Sequence, residues 1–241
     1  PTPSKTYKLN SSLLPPSSSP LLLTYPPPQP LSKLPAVVWD DTVTCVDMGI
    51  TASNWITNVV DHYEAPTRSS LPPKRSVHGT LKIVAFSPEE RDNERTPSKE
   101  YFPNTGLRDD GVPPETALSD GFPILIAGTA SLADLNNRIK SKNSTQLSTS
   151  TPPIPMSRFR PNLVISTTVP FEEDSWRIIQ IGGVIYHVVK GCPRCKQSCT
   201  DQLTGEITEE PGRTLKEFRC MSKKNPEDFY FGQNVSTNDV G

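Results

Sequence analysis

The chain has 241 residues, of which 34% are apolar and 27 are proline against 13 glycines. It is longer than the ~100–200 residues of one ordinary domain, and proline at about twice its usual share argues against a chain that is globular throughout. Twenty-five basic and 26 acidic side chains leave a net charge of −1, so no global electrostatic attraction to nucleic acid or an anionic membrane is present, and no apolar run reaches the ~18 residues of a spanning helix.

Residues 1–35 hold ten of the 27 prolines, and only 21–25 can pair there as a strand. Residues 43–46 read as a strand. From Thr51 the apolar side chains Trp55, Ile56, Val59, Val60 and Tyr63 recur at helical spacing, with Thr51 or Ser53 as cap. Residues 81–86 read as a strand, and 87–119, with mixed charges and five prolines, as a long polar loop. A buried strand is predicted over 122–127, and then Ser131, with Asp134 three residues on, has the form of an N-cap opening a short helix through Leu132, Leu135 and Ile139. Residues 141–155 carry too little apolar payload to offset ordering entropy. Residues 163–168 are β-rich, and 177–190 split around Gly182-Gly183 into a hairpin with a two-residue turn. Strands outnumber helices, which predicts a barrel or sandwich with helical decoration. Trp39, Trp55 and Trp176 read as packing residues. Beginning at Pro1, with neither a secretory nor a transit pattern, the sequence reads as a piece of a longer chain.

Four of the five cysteines are crowded at Cys192, Cys195, Cys199 and Cys220, with Cys45 apart. An odd count without a signal peptide fits a reducing compartment. The first three follow directly on the hairpin, where a rigid strand end can hold a site. Structural zinc would take Cys192, Cys195 and Cys199 with Cys220 or His187; an iron–sulfur cluster would need three or four thiolates; Cys192-Pro193-Arg194-Cys195 has the spacing of a redox pair; and buried inert thiols are the plain alternative. Lys190, Arg194 and Lys196 are cationic and no acid lies between Asp174 and Asp201, which favours a thiolate at Cys195. Arg158 and Arg160 add two guanidiniums able to grip an anion. His62, His78 and His187 have no metal-ligand spacing, and neither a catalytic triad nor a glycine-rich phosphate loop is visible.

Arg158-Phe159-Arg160-Pro161-Asn162, Phe171-Glu172-Glu173-Asp174-Ser175-Trp176, Ile181-Gly182, Cys192-Pro193-Arg194-Cys195, and Asp201 through Thr204-Gly205 together resemble the MOSC domain, and within it the branch of the mitochondrial amidoxime-reducing component. Residues 122–139, with Ser-Leu-Ala-Asp-Leu-Asn at 131–136, and 38–60 are similar to further segments of that family. The resemblance implies a mainly β fold with a few short helices: a MOSC-type β-barrel over 120–241, incomplete at its C-terminal end, preceded by part of the N-terminal β-barrel subdomain over 1–86 and joined to it by the loop 87–119. It implies molybdenum cofactor (molybdopterin) binding, with Cys195 as the metal's protein thiolate and Arg160, Asn162 and Arg194 on the pterin and its phosphate. Cys192 would be structural, and Asp120 stands where the family carries an acid near the metal. The implied reaction is two-electron reduction of N-hydroxylated, amidoxime-type substrates, with a small b-type cytochrome and its NADH-dependent reductase as electron donors and a mitochondrial outer-membrane parent protein. The family's Lys-Ser pair and a further cofactor-binding Arg precede the matched residues, so this piece is expected to bind cofactor poorly by itself. Two readings of other classes stay open: the cofactor or sulfur-carrier domain of a molybdenum cofactor sulfurase, and a zinc-stabilised non-catalytic module.

Overall fold

The computed structural model describes residues 5–9, 19–25, 32–67, 81–86, 95, 99–101, 116–143, 152–202, 204–220, 225 and 227–237. Most of the loop 87–119, part of 141–155, and His78 lie outside the described residues, as does the side chain of His62. The chain divides into two compact units, Pro1–Glu94 and Arg95–Gly241.

In the first unit, strands β1 (Lys5–Leu9) and β2 (Leu21–Tyr25) pair antiparallel, with Lys5 opposite Tyr25 and Leu9 opposite Leu21. Strands β3 (Lys33–Val38), β4 (Asp41–Asp47) and β5 (Val84–Phe86) form a second sheet in that order. Pairing within the first 35 residues thus extends beyond 21–25. Pro35 is tolerated because β3 is an edge strand of that sheet, where a missing N–H leaves no neighbour unsatisfied. The turn between β3 and β4 holds Trp39 at φ 55 and leaves its ring 73% exposed, so Trp39 is not a packing residue. Helix α1 (Ile50–Thr67) buries Ala52 and Val59 on its apolar face. It starts one residue before Thr51, and Ser53 Oγ donates back to the Gly49 carbonyl at 3.1 Å, so neither residue is its cap.

The second unit is built on a five-stranded sheet in the order β7-β6-β10-β9-β8, curled as a half-barrel. Its strands are β6 (Ile124–Gly128), β7 (Leu163–Ile165), β8 (Ile178–Ile181), β9 (Val184–Arg194) and β10 (Phe229–Thr237). All pairs are antiparallel except β6 with β7, which helix α2 (Thr129–Asn143) joins as a parallel crossover. Helices thus lie between successive strands twice, α1 between β4 and β5 and α2 between β6 and β7. The Gly182-Gly183 turn is as expected, with Gly182 at φ 61 and Ile181 opposite Val184. The fold is mainly β, consistent with a MOSC β-barrel.

Ser131 does not cap α2, which begins two residues earlier. Its hydroxyl donates instead to the wholly buried carboxylate of Glu173 at 2.7 Å and accepts the Phe171 N–H at 2.8 Å, while Glu173 also accepts the Gly128 N–H at 3.1 Å. A carboxylate so placed meets the positive end of α2. Two cores flank the sheet. On one face Ala127, Leu135, Phe159, Leu215, Phe229 and Phe231 pack with α2 and the short helix α3 (Gly212–Phe218); on the other, Ile126, Val188 and Val235 meet Trp176 and Tyr186. Phe231 and Val235 would share one face of a regular strand. A register shift between Tyr230 and Gln233, with Gly232 at φ 76, sends them to opposite faces.

Candidate functional site

Strand β9 runs through Cys192 to Arg194, so Cys195 is the first residue beyond it. Three residues of extended chain set the two cysteine Cα atoms ~10 Å apart, with side chains directed to opposite faces, well past the ~7 Å that a disulfide spans. The C-x-x-C spacing is therefore no redox pair. Cys199 is buried, with its Sγ 3.8 Å from the Glu209 carbonyl, and the exposed Cys220 donates to the Lys216 carbonyl at 3.0 Å. Among the described residues no group of three or more His, Cys, Asp or Glu is arranged to hold a metal, so the four-donor zinc and iron–sulfur alternatives find no site there.

The two thiols of the motif have different surroundings. Cys192 is half-buried and receives Arg194 Nη1 at 3.0 Å. Burial pushes its thiol up, against the lowering effect of Arg194. Cys195 is exposed, and its carbonyl accepts both the N–H of Ser198 at 3.2 Å and its hydroxyl at 2.9 Å, at the mouth of a 3-10 turn over Lys196–Cys199. The main chain is fixed while the sulfur stays accessible. Of the three cations that the sequence places around it, Lys190 is engaged by Tyr101, with Nζ 2.9 Å from the phenol oxygen and 4.3 Å from the ring centre. Arg194 turns toward Cys192 and donates Nη2 to the Phe159 carbonyl at 2.7 Å.

That carbonyl belongs to a second turn, a 3-10 segment over Met156–Phe159 closed by Arg160 at φ 53, ψ 44. A left-handed conformation is uncommon for a residue with a side chain, and two anchors hold it. Phe159 stacks on Phe231 at 3.8 Å, and Asn162 pairs with Leu125, giving its N–H to the carbonyl at 2.9 Å while Oδ1 accepts the Leu125 N–H at 2.8 Å. Arg160 is thereby left exposed, and Asn162 keeps its Nδ2 group as what it can offer a ligand. Arg158 is buried and pairs through Nη2 with Asp201 Oδ2 at 2.9 Å. Its Nε and Nη1, and Nε of Arg194, are buried with no hydrogen-bond partner among the described residues.

Arg194, Cys192 and the 156–162 turn are thus brought together beside Cys195. Asp120 lies four residues before Ile124, in the stretch that leads into β6. Asp120 is exposed, and its carbonyl accepts Arg95 Nη2 at 2.9 Å. The same guanidinium holds the carbonyls of Ala117 and Ser119 at 3.0 and 2.7 Å.

The Glu-Glu-Asp-Ser-Trp motif supports the site from behind. Asp174 receives Arg219 Nη2 at 2.9 Å and Gln233 Nε2 at 2.6 Å, and the Arg219 guanidinium lies 4.3 Å over the Phe171 ring. The sequence shows no sign of Arg219 or Gln233 as members of this network, because their partners are 45 and 59 residues away. Chemically, the site offers one accessible soft sulfur beside an exposed guanidinium, Arg160, and buried guanidinium N–H groups of Arg158 and Arg194 that lack acceptors among the described residues, a donor set suited to an oxyanion.

The MOSC domain model matches residues 113–238. The chain belongs to the MOSC domain family. It is 34% identical over 140 residues to mitochondrial amidoxime reducing component 2 of Bos taurus, covering 58% of this chain and 36% of that protein. It is 40% identical over 106 residues to mitochondrial amidoxime-reducing component 1 of Homo sapiens, covering 44% and 28%. It is 36% identical over 117 residues to a molybdenum cofactor sulfurase of Pyricularia oryzae, covering 44% and 13%. The matched part thus amounts to about a third or less of these relatives' own length. The MOSC match includes β6 to β10, Cys195 and the 156–162 turn, and among the described residues no helix is long and apolar enough to cross a membrane.

Proposed function

We propose that this MOSC chain holds the molybdenum cofactor, with Cys195 as the protein thiolate on the metal and Arg160, Asn162 and Arg194 around the pterin and its phosphate. The observation that carries this reading is an exposed Cys195 thiol next in the chain to Arg194, whose buried Nε has no acceptor among the described residues. A thiolate is a fitting ligand for a soft, high-valent metal, and the orphan N–H of Arg194 suits an anionic group of the cofactor. Asp120, exposed ahead of β6, is the candidate acid near the metal.

In the full-length protein the reaction is the reduction of an N-hydroxylated substrate of amidoxime type: two electrons and two protons convert N–OH to N–H and water. The bound cofactor supplies the redox chemistry and the abstraction of oxygen. The chain's part is to fix the Cys195 main chain through Ser198, to present Arg160 from a locked left-handed turn, and to hold Arg194 between Cys192 and Phe159. Electrons would come from a small b-type cytochrome and its NADH-dependent reductase, and the location would be mitochondrial, as the names of the amidoxime-reducing relatives suggest.

The similarity to molybdenum cofactor sulfurases favours a second reading, in which the domain carries cofactor or sulfide for another domain. Cys195→Ser in the full-length gene product, purified from a host that makes the cofactor, tests both. The expected result is loss of bound molybdenum and of N-reductive turnover with an unchanged circular-dichroism spectrum. Full turnover in the variant overturns the assignment, and a persulfide on Cys195 with no N-reduction by the parent selects the carrier.

A further inference from the structure

Arg158 stands apart from the residues assigned so far. Its side chain is 7% exposed, yet among the described residues its one ion-pair partner is Asp201, and Nε and Nη1 are buried without acceptors there. Buried N–H groups of an ion are almost always satisfied, and a guanidinium is chosen for planar recognition of oxyanions.

The surroundings hold this side chain in place. Asp201 accepts the Thr204 N–H on Oδ1 at 3.0 Å, which leaves Oδ2 turned to Arg158, and Gln202 Nε2 donates to the Ser157 carbonyl at 2.6 Å. The turn that carries Arg158 is therefore tied at two points to the residues that follow the Cys195 turn. Its other neighbour, Phe159, receives Arg194, whose Nε is also without a partner. Residues 156–162 and 190–201 contain five basic side chains, Arg158, Arg160, Lys190, Arg194 and Lys196, against the single acid Asp201. That local excess of basic over acidic side chains suits an anionic ligand.

We propose that Arg158 is an oxyanion-binding residue of the Cys195 site, taking a phosphate-type group through Nε and Nη1 while Asp201 holds the guanidinium in place. The source of the phosphate rests on the cofactor reading above: it is the cofactor's phosphate monoester if that reading holds and free phosphate if it does not.

Arg158→Met and Arg158→Lys in the full-length protein test this with two readouts that do not depend on turnover. The first is the rate at which pterin, followed by its fluorescence after release, leaves the loaded protein. The second is the rise in melting temperature of cofactor-free protein on titration with inorganic phosphate. Both variants are expected to lose cofactor about tenfold faster or more, the scale of a lost charge-assisted hydrogen bond, and Arg158→Met to lose the phosphate response. Arg158→Lys guards against misfolding, since it keeps the charge beside Asp201. A wild-type protein without pterin whose phosphate response disappears in Arg158→Met sinks the cofactor reading and leaves the oxyanion site standing. Folded variants with wild-type pterin release and wild-type phosphate response overturn the proposal, as does a lowered melting temperature with both readouts unmoved, which would make Arg158 a structural tie alone.

Discussion

Cys192 and Cys195 lie three positions apart in a motif that invites treating them as a pair, and their environments assign them different work. The side chain of Cys192 lies within the sheet, under Arg194 Nη1, with its thiol pushed up by burial, while Cys195 is exposed on a pinned main chain. A raised thiol pKa means a small thiolate fraction near neutrality, and it is the thiolate that reacts. Iodoacetamide at pH 7.5 is therefore expected to alkylate Cys195 and the exposed Cys220 first, with Cys192 lagging by about tenfold or more, and the lag narrowing as the pH is raised. Mass spectrometry of peptides after timed quenching reads this directly, and equal rates at Cys192 and Cys195 would contradict the assignment of separate roles. The sequence could not supply this distinction. Spacing counts residues, and whether i and i+3 converge depends on whether the chain is helical or extended there.

At the scale of elements, the hairpin around Gly182-Gly183 and the apolar strand β6 were legible because each follows from local chemistry: a glycine turn in one, an unbroken apolar run in the other. Strand β10 was not. Its sequence, Phe-Tyr-Phe-Gly-Gln-Asn-Val-Ser-Thr, carries a glycine and polar residues in its middle, yet it is the central strand of the sheet, with Gln233 and Ser236 buried. Gln233 is tolerated there because it donates to Asp174, a partner that no local pattern reveals. Ser131 was misassigned as a cap for the same reason, since the acceptor of its hydroxyl is Glu173, 42 residues on. The glycine is what makes β10 work. At Gly232 a Cβ would stand 2.6 Å from the Ile126 carbonyl oxygen, on a residue already at φ 76. Gly232→Ala is expected to destabilise the second unit by about 2–4 kcal/mol, from the left-handed strain together with the clash against backbone, whereas Gly183→Ala, with open space at its Cβ, should cost far less. Urea unfolding followed by tryptophan fluorescence compares the two, and a Gly232→Ala midpoint equal to wild type would remove the bulge from the account of how Phe231 and Val235 reach opposite cores.

On the scale of the whole molecule, the family match begins at residue 113, while the second compact unit begins at Arg95. The difference has a physical content. Arg95 is buried, its carbonyl accepts the Thr116 N–H at 2.7 Å, and its guanidinium gathers the carbonyls of Ala117, Ser119 and Asp120 just ahead of β6. Composition marked this region as polar loop, and a single arginine within a charged, proline-rich stretch carries no sign that its donors will converge on three carbonyls more than twenty residues away. Tyr101 adds a second tie, through its contact with Lys190 and its edge-to-face packing on Phe122 at 5.7 Å. A chain starting at residue 91 should therefore fold more stably than one starting at residue 99, by about 2–4 kcal/mol if the lost hydrogen bonds to a buried cation set the scale. Arg95→Met in the uncut chain is expected to reproduce most of that loss, which separates the guanidinium from any effect of the new terminus. Thermal unfolding of the three chains, followed by circular dichroism, decides the matter: coincident transitions would mean that Arg95 adds nothing to the stability of the sheet, and that the family boundary is also the physical one.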